Sequence, residues 1–224
     1  MSSIYKYFSK QEYAESFMNE GQVFFQSLSH FTACEEVQLR DEQEGSLLYK
    51  PSGGLQLNLT SGGQVAHHGE FISRAKNAHR IFVFCTSLTC SSQLAQRFKA
   101  KFCVEIFDLD EFSRRLQNKM RDPIQRFKNP LILRSNVQYV SKTTEPGIDH
   151  ALTEKIIFRK QQTFAVEAEY RFAFGLDTNV FDAYNVEYSI GQFNLHAAKL
   201  TQPRVIKIGP LSDICTILHN IHSK

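Results

Sequence analysis

Residues 81–88 read Ile-Phe-Val-Phe-Cys-Thr-Ser-Leu, the most apolar run in the chain. The β-branched and aromatic content predicts a fully buried central strand, and the rest of the fold must be arranged around it. A chain of 224 residues is one large domain or two small ones, and it is long enough to bury on the order of 70% of its unfolded surface. It needs no covalent staple. The five cysteines (Cys34, Cys85, Cys90, Cys103 and Cys215) form an odd set without a CxxC pair. They read as buried thiols, neither a disulfide framework nor a zinc site.

On either side of that run the chain alternates between short strands and helices. Ile4 to Phe8 places large apolar side chains around Lys6, a strand pattern. Ser9 with Glu12 three residues on has the form of a capping box, Tyr13, Phe17 and Met18 make an apolar helical face, and Gly21 ends the helix. Gln22 to Leu28 is strand-like. Ser91 to Lys101 is helical, Phe102 to Phe107 is a strand, and Asp108 to Arg121 is a capped amphipathic helix with Leu109, Phe112 and Leu116 inward. Leu131 to Val140 is strand material with a turn expected at Ser135-Asn136, and Thr153 to Phe158 is a strand or a short helix. Thr163 to Phe174 is expected as one long strand, followed by strands at Asn185 to Ile190 and Arg204 to Ile208. Gly209-Pro210 punctuates the step to a final helix, Leu211 to His222. There is no regular strand–helix alternation and no internal repeat, so the expected class is α+β.

Residues 35–45 are mostly charged, and residues 51–69 hold PSGG and SGG with few large apolar side chains. This region is a long loop with short hairpins or a mobile flap, and it is expected to be the least ordered part of the chain. The N-terminal MSSIYKYFSKQEYAESF has no long apolar stretch and no cleavage site, and nothing approaches the ~20 apolar residues that cross a bilayer. The expectation is a soluble, cytoplasmic protein with no membrane partner. The net charge of +3 permits an anionic ligand without demanding a nucleic-acid polymer.

Three features point to chemistry. Glu167 and Glu169 flank Ala168 within an apolar stretch, and in a strand both carboxylates project from one face. Such a pair suits acid–base work or stabilisation of a developing cation, although the same pattern also marks a solvated strand face. Thr86 and Ser87 end the central strand, where hydroxyls can orient a ligand or a carboxylate. Lys6 lies between Tyr5 and Tyr7, a cation for a phosphate beside rings that can stack on a base, or a lysine snorkelling along the core. Arg114 to Arg134 is rich in basic residues and includes Phe127, which suits a phosphate backbone or a solvated helix face. His67-His68 sits in a Gly-rich loop, and adjacent side chains diverge, which argues against zinc. There is no GxGxxG, GxxxxGK[ST] or GxSxG.

Taken in order, IYKYFS near the start, Gln26-Ser27-Leu28-Ser29-His30-Phe31, IFVFCTSL and KQQTFAVEAEYRFAF from Lys160 resemble a widespread family of bacterial domains of unknown function. That family opens with a Tyr-Arg/Lys-Tyr strand and ends with a Glu-x-Glu-Tyr/Trp-Arg strand; the likeness runs over residues 4–174. The same anchors look like those of ADP-ribosyltransferases of the arginine–serine–glutamate type. That resemblance implies a single domain, residues 1–224, of split mixed and antiparallel sheets with flanking helices and a flexible insertion at about 35–75. It implies NAD as substrate, with Glu169 stabilising an oxocarbenium-like ribose and Glu167 orienting or deprotonating the acceptor. Lys6, Tyr5, Tyr7, Thr86, Ser87 and Arg171 would bind NAD. Lys6 stands where the family has arginine, losing two-pronged phosphate binding, and Cys85 stands where it has the first serine. Such domains resemble bacterial toxins and phage-defence effectors, which implies a protein, RNA or DNA acceptor and an antitoxin partner. Two other readings stay open: a metal-dependent nuclease using Glu35, Asp41 and Asp108, and a non-catalytic nucleotide- or nucleic-acid-binding module.

Overall fold

The computed structural model describes residues 3–33, 41–122, 127–128, 131–177, 179–192 and 201–218. The first part of the chain forms β1 (Ile4–Phe8), α1 (Gln11–Glu20), β2 (Gln22–Ser27), α2 (Leu28–Ala33), β3 (Ser46–Tyr49), β4 (Leu55–Asn58), β5 (Gln64–His67) and β6 (Glu70–Ala75). The middle part contains β7 (Ile81–Ser87), α3 (Ser92–Arg97), β8 (Phe102–Ile106), α4 (Leu109–Arg121), β9 (Leu133–Asn136) and β10 (Gln138–Val140). The last part supplies α5 (Thr153–Ile156), β11 (Arg159–Gln161), β12 (Glu169–Gly175), β13 (Val186–Gly191), β14 (Arg204–Lys207) and β15 (Cys215–Leu218). This is a single α+β domain in which most strand pairs are antiparallel.

The apolar run 81–88 becomes the middle of the fold. β7 pairs along its whole length with β12, from Glu169 opposite Ser87 to Gly175 opposite Ile81, and β9 lies beyond β12. The other side of β7 is shared. β2 pairs at Phe82 and Val83, and β1 pairs at Ser87. The sheet therefore splits opposite residues 84–86, and β14 continues it beyond β2 while β8 and β15 continue it beyond β1.

Alternation along β7 feeds two cores, as expected for a strand covered on both sides. Phe82 and Phe84 join Phe17 of α1, Phe25, Phe112 of α4, Phe172 and Phe174 in one cluster. Ile81 and Val83 join Leu28, Ala75, Ile157, Ala173 and Val180 in the other. Burying a phenylalanine contributes roughly 1.5–3 kcal/mol, so the aromatic face anchors the two long helices to the sheet.

The charged, Gly-containing segment from 41 onward is built of strands. β3 and β6 pair, β13 adds to β6, and β4–β5 form a separate hairpin. Residues 34–40, including Glu35, lie outside the described residues. Gly21 closes α1 in the left-handed region at φ 62, and a Cβ there would stand 2.1 Å from the Gly209 carbonyl oxygen. Only glycine fits that crossing of the α1–β2 turn with the 209 loop.

Four local expectations change. The N-cap of α1 is Lys10 and makes no side-chain cap bond, so Ser9 and Glu12 do not form a capping box. β9 runs straight through Ser135-Asn136, because both residues pair with β12, and the break falls at Val137. The stretch before Glu169 is a 3-10 turn, Gln162–Glu167, ended by Ala168 in the left-handed region. Residues 215–218 are a strand on the β8 edge where a helix was expected; Ile217 supplies apolar side-chain packing there, and residues beyond 218 lie outside the described set.

Candidate functional site

The end of β7 fixes the backbone of the two glutamates. Thr86 Oγ1 donates to the Tyr170 carbonyl at 2.9 Å, Ser87 Oγ donates to the Glu167 carbonyl at 2.8 Å, and the Leu88 N–H donates to the Ala168 carbonyl at 2.7 Å. Ala168 is thereby held at φ 42, ψ 51, a conformation that costs a non-glycine residue on the order of 1 kcal/mol. The Ser87 hydroxyl thus orients a carboxylate-bearing turn.

The carboxylates then meet through a shared cation. Lys160 Nζ, from β11, lies 2.9 Å from Glu167 Oε2 and 3.1 Å from Glu169 Oε2. Arg97, at the end of α3, donates from Nε and Nη2 to Glu167 Oε1 at 3.1 and 3.0 Å. Arg171 donates to both oxygens of Glu169 at 2.6 and 3.1 Å, to both oxygens of Glu44 at 2.7 and 2.8 Å, and to the Ile157 carbonyl at 2.6 Å. All five guanidinium N–H groups are used. Three glutamates thus face three cations, with Asp41 as an additional buried acid. The Phe164 ring lies against the cluster, its centroid 4.7 Å from Lys160 Nζ and 6.0 Å from the Arg97 guanidinium carbon. The Tyr139 hydroxyl accepts the Glu169 N–H at 2.8 Å.

The electrostatics follow from burial and pairing. Burial opposes ionisation of Glu169, but Arg171 and Lys160 outweigh it and hold this carboxyl well below the usual range. Burial also opposes the charges on Lys160 and Arg171, and Glu169 and Glu44 more than restore them. Asp41 is different. Burial and the neighbouring Glu44 raise it to about 6, with Lys160 and its bond from the Gln43 N–H only partly offsetting them. Burial, then Glu169, pushes the Cys85 thiol up, so Cys85 is no nucleophile here.

The expected site residues separate into two groups. Glu167, Glu169, Arg171 and Ser87 come together. Arg171 sits locked between two carboxylates at 1% exposure. Lys6 lies toward the phenylalanine core, its ammonium 4.7 Å from the Phe84 ring centroid and donating to the Cys85 carbonyl at 2.8 Å. It fills the gap where β1 and β2 part, and burial lowers its pKa. Tyr5 and Tyr7 alternate to the opposite face. They pack near Ala95 and Cys103, with the Tyr5 hydroxyl donating to Glu105 at 3.4 Å and the Tyr7 hydroxyl donating to the Thr89 carbonyl at 3.1 Å.

Arg97 and Tyr139 carried no sequence signal, since they arrive from α3 and β10. Lys160 was visible only as the first residue of the segment that carries the glutamate pair, and Glu44 only as a member of a charged loop. The basic run is largely paired: Arg114 and Arg115 with Glu111, Lys119 with Asp122, Arg134 with Asp110. Phe127 packs on Phe174, centroids 5.3 Å apart, so it is turned to the core. Residues 123–126 and 129–130 of that run lie outside the described residues. Asp108 caps α4 by accepting the Glu111 N–H, and His67 Nδ1 accepts the Gly69 N–H. Among the described residues no His, Cys, Asp and Glu side chains group as metal ligands, and no helix is long and apolar enough to cross a membrane.

A cleft of about 530 Å³ opens beside β9, lined by Arg134, Asn136, Lys155, Phe158 and Arg159 among others. Glu167 and Glu169 do not line it; their carboxylates are held by Arg97, Lys160 and Arg171. Comparison of the chain with models of protein families, with curated proteins and with solved structures returns no match.

Proposed function

We propose that the protein is an NAD-consuming ADP-ribosyltransferase acting on a macromolecular acceptor, protein or nucleic acid, as an intracellular toxin or phage-defence effector held in check by an antitoxin. One observation carries the reading: Glu167 and Glu169, fixed by Ser87 at the end of the central strand beside a split sheet, converge on Lys160 within about 3 Å. Cleavage of the nicotinamide–ribose bond builds positive charge on the ribose, and an ionised carboxylate placed against it lowers that barrier.

The two carboxylates differ in what holds them. Glu169 is engaged by a fully buried guanidinium, whereas Glu167 is engaged by Arg97, whose side chain is 31% exposed. In this reading the roles that the resemblance implies are exchanged: Glu167, in place of Glu169, meets the ribose of the substrate, Glu169 fixes Lys160 and the turn, and Arg97 swings from Glu167 to a substrate phosphate. Arginine suits that exchange because one planar fork fits carboxylate and phosphate alike. Lys6 keeps the split of the sheet open and takes no phosphate. Nicotinamide release from NAD by wild-type protein and by Glu167→Gln, with cell lysate as acceptor source, tests the reading.

The five-fold satisfaction of Arg171 favours a second reading, a binding module whose ion cluster is structural. It predicts nucleotide binding with no turnover under the same conditions.

A further inference from the structure

Cys90 and Cys103 pack with Ala95 of α3, two residues before the Arg97 that joins the ion cluster. Cys90 is half-buried in the loop between β7 and α3, and Cys103 is fully buried on β8. Their sulfurs stand 3.9 Å apart, against about 2.05 Å in a disulfide. The residues flanking Cys90 are pinned: the Tyr7 hydroxyl donates to the Thr89 carbonyl at 3.1 Å and accepts the Ser91 N–H at 2.9 Å. The loop therefore presents one thiol to another instead of sampling many directions.

We propose that Cys90 and Cys103 form a reversible disulfide when the protein meets hydrogen peroxide, clamping the loop that leads into α3 and so the helix that carries Arg97 onto Glu167. The half-buried Cys90 thiolate attacks the peroxide O–O bond, giving a sulfenic acid and hydroxide, which takes up a proton to leave as water. The Cys103 sulfur then attacks the Cys90 sulfur; the S–S bond forms, the S–O bond breaks, and the departing hydroxide takes the Cys103 proton as a second water. Two thiols lose two electrons to one peroxide. Burial, and then Cys90 itself, raises the Cys103 thiol, so the first attack on peroxide falls to Cys90.

The cross-link would close a short loop around α3, which restrains the unfolded chain. The test treats the full chain with stoichiometric hydrogen peroxide, then counts thiols after denaturation and maps peptides without reductant. The expected result is loss of two of the five thiols, a Cys90–Cys103 cross-linked peptide, a thermal midpoint raised by a few degrees, and reversal of all three by dithiothreitol. Cys90→Ser, at the half-buried position, and Cys103→Ala should each retain four thiols and show no midpoint shift. Five thiols remaining in the treated wild type, a cross-link between other cysteines, or Cys90 over-oxidised without a cross-link would each overturn the proposal.

Discussion

Arg171 grips Glu44 through two parallel hydrogen bonds, Nη1 to Oε1 at 2.7 Å and Nη2 to Oε2 at 2.8 Å, across 127 positions of sequence. Both side chains are almost fully removed from solvent, at 1% exposure each. The contact ties the start of the β3 segment to β12, and through Glu169 to the turn that carries both candidate carboxylates. The sheet and the site are therefore stabilised by the same ions.

Removing one partner of such a pair leaves an unpaired buried charge. Glu44→Ala should cost about 3–5 kcal/mol, a fall of roughly 6–20 °C in thermal midpoint for a chain of this size. Combining Glu44→Ala with Arg171→Met should cost clearly less than the two single changes added together, because the second change removes the stranded charge. Urea unfolding of the four proteins measures this, and simple additivity would show that the two residues do not act as a pair.

Asp41 should give the protein a pH dependence of opposite sign to that of a salt-bridged aspartate. Its folded pKa, about 6, lies above the ordinary 3.8, so the folded state holds the proton more tightly. The associated stability is complete below about pH 4 and is lost as the pH rises through about 6. Asp41→Asn keeps an oxygen for the Gln43 N–H and removes the charge. It should raise stability by about 2–3 kcal/mol at pH 7.5 and leave it nearly unchanged at pH 4, as read by thermal melts at the two pH values.

Ser87→Ala should remove the bond that holds the Glu167 carbonyl and leave that buried oxygen unpaired. The expected loss is about 1–2 kcal/mol. Since the bond also sets where the carboxylates point, NAD turnover should fall more than tenfold in protein that circular dichroism shows to be folded. Unchanged turnover would mean that the turn holds its place without the hydroxyl.

Arg97→Ala should separate binding from framework. Its side chain is partly exposed, so the stability loss should stay near 1 kcal/mol, in keeping with the modest worth of partly solvated ion pairs. The KM for NAD should rise more than kcat falls, as measured by steady-state nicotinamide release, because the residue meets the phosphates and not the breaking bond.

The strands were legible where hydrophobic patterning is strong. Residues 81–87 and 102–106 are apolar enough that no other element suits them, and α4 carried both its cap, Asp108, and its inward Leu109, Phe112 and Leu116. The turn at 162–168 was not legible. Its residues alternate like a strand, and the left-handed Ala168 is held by its own bond to the Ala165 carbonyl together with bonds from Ser87 and Leu88, some 80 positions away. The C-terminal residues 215–218 read as helix because local pattern cannot report that the β8 edge is waiting for a partner. At the site, the glutamate pair and Arg171 stood out together in one segment, but Lys160, Glu44 and Arg97 reach it from three other elements. Lys6 shows the converse. Its place between two tyrosines suggested a ligand site, whereas alternation turns the tyrosines to one face and the lysine to the other, into the split of the sheet.

The most direct measurement is transfer from labelled NAD by wild-type protein, Glu167→Gln and Glu169→Gln, with cell lysate present and folding verified for each. The account predicts nicotinamide release and labelled protein or nucleic acid with wild type, and a fall of at least about 100-fold with Glu167→Gln in protein that stays folded. Glu169→Gln should also lose activity, together with several degrees of thermal midpoint, because it loosens Arg171 and Lys160. Folded wild-type protein that neither binds nor consumes NAD would contradict the account, and the carboxylate cluster would then be a structural keystone alone.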